Sequence, residues 1–103
     1  MRTAAKDIAR LEDKAVEAAE FLKLLGNPQR LLILCHLAVE REMSVGELED
    51  ALELSQSALS QHLAKLRDDQ VVATRREAQT IHYRIADKNV QRVLALLKEI
   101  YCP

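Results

Sequence analysis

The chain has 103 residues, 49% of them hydrophobic, a formal net charge of −1, two glycines, two prolines, two cysteines and no tryptophan. That length suits one domain with one modest core, and so ordinary a hydrophobic share excludes a disordered chain. No apolar run approaches the roughly 20 residues that cross a bilayer, and residues 1–14 mix charges where a signal peptide would be apolar. The expectation is a cytoplasmic, mainly helical single domain over residues 1–103. In that compartment two cysteines argue against a permanent disulfide and leave room for a reversible redox pair.

In chain order, Ile8, Leu11, Ala15, Ala18, Leu22 and Leu25 recur at three- and four-residue spacing, which predicts an amphipathic helix over 7–25. It stops at Gly26, after which Asn27 and Pro28 supply an N-cap and a first helical residue. The run Leu31 to Val39 is apolar nearly all round and contains Cys35, so this second helix should be buried on most sides. A charged turn, Glu40-Arg41-Glu42, precedes Ser44 and Glu47, the pair of a capping box. A short helix from Val45 to Leu52 follows. Ser55 then caps a fourth helix, Gln56 to Arg67, with Leu59, Leu63 and Leu66 inward. Ile81, Tyr83 and Ile85 alternate with Thr80, His82 and Arg84, the period of a strand; Val71 to Arg76 is its partner across a turn near residues 77–79. Asp87 caps a last helix carrying Val90, Val93, Leu94, Leu97, Ile100 and Tyr101. Four helices, a hairpin and a fifth helix make a mainly α fold with a small β-hairpin, the layout of a winged helix-turn-helix.

In that layout the fourth helix enters a major groove by its N-terminal end. Ser and Gln fill five of the eight positions from Ser55 to His62, where an ordinary exposed helix would favour Glu and Lys. Gln56, Ser57, Ser60 and Gln61 face away from the leucine stripe. Gln can pair with adenine through two hydrogen bonds, and Ser suits either a base edge or a phosphate. Arg75 and Arg76, just before the hairpin turn, can reach phosphates or a narrow minor groove, or can be plain solvated charges. His62 has two readings, a packed hydrogen-bonded residue or a base contact. So has Arg30, a phosphate contact or a salt bridge. Charge is distributed to match: residues 26–54 hold two basic side chains against six acidic, residues 55–85 five against three. The first and last helices have apolar stripes richer than a small core needs, which nominates them as the seam of a homodimer whose reading helices enter grooves about 34 Å apart. Against an enzyme, there is no Cys-x-x-Cys, no nucleophile with a base and no glycine-rich phosphate cradle.

The segments Asn27–Leu34, Ser44–Leu48, Leu54–Arg67 and Thr74–Arg84 together resemble the ArsR/SmtB family of bacterial winged-helix repressors, over nearly the whole chain. The resemblance implies a homodimer that occupies double-stranded operator DNA and leaves it when an inducer binds. Many members sense metals. Where the family's arsenic site has Cys-Val-Cys this chain has Ser44-Val45-Gly46, and where its zinc site has Asp-x-His it has Asp87-Lys88-Asn89, so no metal or other cofactor is expected. Cys35 and Cys102 are placed like the thiol pair of the family's sulfur-sensing branch. That likeness implies that a persulfide, another reactive sulfur species or an oxidant joins them through a disulfide or polysulfide link. Rival readings are a repressor of this fold answering a metal or another inducer, and a helical adaptor that binds only protein.

Overall fold

A computed structural model describes residues 4–103; the first three residues, where the reading of the amino terminus as lacking a signal peptide begins, lie outside the described residues. Helices α1 (Ala5–Leu25) and α2 (Pro28–Glu40) lead into a two-residue strand, β1 (Met43–Ser44). Then come α3 (Val45–Ala51), α4 (Gln56–Asp68), the hairpin β2 (Val72–Glu77) and β3 (Thr80–Ile85), and α5 (Lys88–Tyr101). The hairpin is joined by β1 into a three-stranded antiparallel sheet in the order β1-β3-β2. This is a winged helix-turn-helix, with α3 and α4 as the helical pair and the hairpin as the wing. No helix among the described residues is long and apolar enough to cross a membrane.

The helix starts follow from side chains that accept the orphan N–H groups of a first turn. Asn27 accepts from Gln29 and Arg30, with Pro28 opening the helix. Ser44 and Glu47 form a reciprocal capping box, Ser55 accepts from Ala58, and Asp87 accepts from Asn89 and Val90. Between α4 and the sheet, Gln70 turns left-handed (φ 60°) so that Val71 N–H can reach the carbonyl of Leu66 at 2.9 Å. That reversal drops Val71 and Val72 into the core straight after the exposed end of α4.

One core collects Leu24 and Leu25 of α1, Ile33, Leu34 and Leu37 of α2, Leu48, then Leu59, Leu63 and Leu66 of α4, with Tyr83, Ile85, Val90 and Leu94. Its apolar burial is what fixes α4 against the scaffold. Two expectations need correction. The hairpin has a third strand, β1, too short to leave a periodic signal. The second helix is not buried on most sides within its own chain: Ile33, Leu34 and Leu37 are buried, but Leu32, Cys35 and Val39 lie exposed. A run of apolar residues forces a greasy surface without saying which molecule covers it. The same holds for α1, whose residues Ala5 to Glu20 are all exposed, including Ile8 and Leu11 of the stripe.

Candidate nucleic-acid interface and thiol pair

The candidate reading surface rests on the spacing along α4. Leu59, Leu63 and Leu66 are buried to within 2%, which turns Gln56, Ser57, Ser60, Gln61 and Ala64 outward, and all five are exposed. A helix pinned on one side by three leucines presents these polar groups with little freedom to rotate, as base recognition requires. His62 lies at the edge between the two faces. Its Nε2 is 2.8 Å from the side-chain oxygen of Gln29 at the start of α2. An amide oxygen only accepts, so Nε2 carries the hydrogen and donates. Partial burial, with the Arg30 charge nearby, pushes the His62 pKa down. The hydrogen bond expected in the packed reading is present.

Arg30 forms no salt bridge among the described residues. Its Nε donates to the Leu24 carbonyl at 2.9 Å and an Nη to that of Lys23 at 3.3 Å, closing off the carboxyl end of α1.

On the wing, strand alternation sends Arg75 and Arg76 to opposite faces. Arg75 is in register with His82, Arg76 with Ile81. Arg76 is exposed. Arg75 is held by two acids: Glu42 grips it side-on, Nε to Oε2 at 3.2 Å and Nη2 to Oε1 at 2.6 Å, while Nη1 donates to Glu77 at 3.0 Å. These contacts hold the Glu42 carboxyl below, and the Arg75 guanidinium above, their ordinary pKa values. The two arginines, equivalent by sequence, therefore differ: one is engaged within the chain and the other faces solvent. Glu42 and Gln29 had no local signal, because each meets a partner 33 residues away, whereas Glu77 lies two residues from Arg75 on the same strand.

Cys35 and Cys102 are both exposed thiols. They line one open groove of about 1140 Å³ between α2 and α5, shared with Ala38, Val39, Leu94 and Tyr101. Burial against these apolar neighbours raises the Cys35 pKa, and the closeness of Cys102 raises it further, because two adjacent thiolates repel. Iodoacetamide at pH 8 is accordingly expected to alkylate Cys35 more slowly in the folded chain than in the same chain unfolded in urea. The difference should narrow as pH rises through the elevated pKa. A Cys102→Ser chain followed by mass spectrometry isolates the Cys35 rate and leaves burial, the larger cause, in place; equal folded and unfolded rates would contradict it.

Among the described residues no three or more His, Cys, Asp or Glu side chains gather to hold a metal ion. Residues 27–74 match the family described as bacterial regulatory protein, arsR family. The chain is 46% identical over 102 residues to the transcriptional activator HlyU of Vibrio cholerae, a match covering 99% of this chain and 94% of that protein. It is also 46% identical over 92 residues to the biofilm growth-associated repressor of Agrobacterium fabrum, covering 89% of this chain and 78% of the relative. Reduced HlyU from Vibrio cholerae superposes with a TM-score of 0.84 at 49% identity, over 91% of this chain and 98% of that one. These relatives bear the names of regulators, in keeping with the expectation that the chain is not an enzyme. With the helix-turn-helix, the wing and relatives this similar along most of their length, the chain belongs to the ArsR family of bacterial transcriptional regulators.

Proposed function

We propose that the chain is a homodimeric, DNA-binding repressor whose hold on its operator is released by thiol chemistry at Cys35 and Cys102. The observation that carries the reading is the exposed row Gln56, Ser57, Ser60 and Gln61 at the N-terminal end of a helix whose opposite face is locked in the core. Such a row has hydrogen-bonding capacity for base edges, and the adjoining N–H groups and Arg76 suit phosphates. Seating two such rows in successive grooves takes two copies. Support for that pairing comes from the apolar residues that one chain leaves uncovered: Ile8, Leu11 and Leu22 on α1, Leu96, Ile100 and Tyr101 on α5.

The switch is supported by the shared groove of the two thiols. A direct disulfide removes two hydrogens and passes two electrons to an oxidant. With a persulfide donor, two donor molecules can leave a three-sulfur link, departing as two thiols and one hydrogen sulfide. Either link ties α2 to α5. Because α5 contributes to the proposed seam, the tie alters how the two reading helices are spaced. Electrophoretic mobility shift on the DNA upstream of the chain's own gene, at stated salt, tests both halves. Reduced protein is expected to bind, and persulfide or peroxide to release it. Cys35→Ser and Cys102→Ser should stay bound under the same treatment. Release that persists unchanged in both serine variants would exclude the thiol switch, and intact mass separates a sulfur chain from simple loss of hydrogen.

A further inference from the structure

The register of the sheet lines up a row of charge on one of its faces. Arg75 pairs with His82, Ala73 with Arg84, and Glu77 with Thr80, while β1 brings Ser44 beside His82. Glu42, one residue before β1, reaches this row and grips Arg75. A guanidinium has five N–H donors. On Arg75 three of them go to carboxylate oxygens, two to Glu42 and one to Glu77. The two acids are not alike. Glu42 makes a two-bond fork, with its side chain 31% exposed, whereas Glu77 makes one hydrogen bond to Arg75 at 3.0 Å, has His82 Nε2 at 3.7 Å, and is 68% exposed. A fork fixes the plane and direction of a guanidinium; a single contact from an exposed chain is exchanged easily.

We propose that Arg75 is a gated phosphate clamp, in which Glu42 sets the direction of the guanidinium and Glu77 occupies the position that a DNA backbone phosphate takes on binding. Glu42 is then a positioning residue, and Glu77 a removable cover on the wing. This rests on the DNA-binding reading above and adds to it a competition, inside the protein, for one arginine. Part of the electrostatic gain from each wing is spent displacing Glu77, so the resting wing attracts arbitrary DNA less than its two arginines would suggest. The clamp opens only where α4 has already brought the backbone close. That arrangement favours discrimination between operator and bulk DNA over raw affinity.

The test uses the full chain, reduced, with a fluorescein-labelled duplex selected from a random-sequence library, and reads affinity by anisotropy across a salt series. Glu77→Gln is expected to tighten binding about threefold, the scale of one exposed ion pair. In an Arg75→Gln background that gain should largely vanish. Arg75→Gln alone should lower the slope of log affinity against log salt by about one for each wing. Glu42→Gln removes a negative charge, so general electrostatics predicts tighter binding; a lost orienting fork predicts the reverse, about threefold weaker with a shallower salt slope. Unchanged thermal midpoints show that these effects are not unfolding. An equal gain from Glu77→Gln with or without Arg75, or tighter binding by Glu42→Gln, overturns the clamp while leaving the DNA reading intact. Failure of the parent chain to select any duplex overturns the DNA reading and the clamp with it.

Discussion

Replacing Gln56 and Gln61 together by alanine is expected to weaken operator binding by at least about a hundredfold, since each well-formed pairing of such a side chain with a base contributes about 1–3 kcal/mol and a dimer repeats the loss. The helix itself should be unharmed. Its N-cap, Ser55, and its buried leucines are untouched, and alanine favours helix more than glutamine does. Circular dichroism should therefore be unchanged while a binding isotherm shifts. The salt dependence should stay as steep as before, because phosphate contacts survive. Binding that is indifferent to the double substitution would mean that the outward face of α4 does not read bases.

Leu59→Ala is expected to destabilise the fold strongly. The side chain is fully buried between the reading helix and the core, and truncating such a leucine costs about 2–5 kcal/mol, from lost burial and the cavity left behind. For a chain of this size, whose whole stability is on the order of 5–15 kcal/mol, that is a large share. Urea unfolding checks it: the midpoint should fall with little change in slope. A loss below about 1 kcal/mol would mean that α4 is held far more loosely than complete burial implies. Ala64, outward on the same helix, offers a neighbouring control site where substitution should leave the midpoint nearly unmoved.

What could be read from the sequence were features decided within a few residues. The caps at Asn27, Ser44, Ser55 and Asp87 all form, because a short acceptor side chain needs only the next turn of its own helix. The leucine stripe of α4 and the alternation of β3 are likewise local, and they gave the outward row of Ser and Gln directly. Other features depend on long reach. Glu42 finds Arg75, and Gln29 finds His62, only after the chain has folded back on itself. Arg30 illustrates a further blind spot: a long cation has more than charge to offer, and here it satisfies the carbonyls of a neighbouring helix. The apolar run of α2 misled differently. Periodicity shows that a surface avoids water, but Leu32, Cys35 and Val39 remain uncovered by their own chain. Whether two thiols share a groove, finally, depends on where α5 returns, which spacing along the chain does not encode.

The bare length of α1 has a consequence for how the protein exists at different concentrations. From Ala5 to Glu20 the helix is exposed along its whole length, and a solitary helix of that size holds only weakly in water. In the proposed dimer, winding this segment and joining a second copy become a single equilibrium. Scarcity of the regulator would then loosen its first turns before the core gives way, so that the amount of protein made helps to set how much of it is folded.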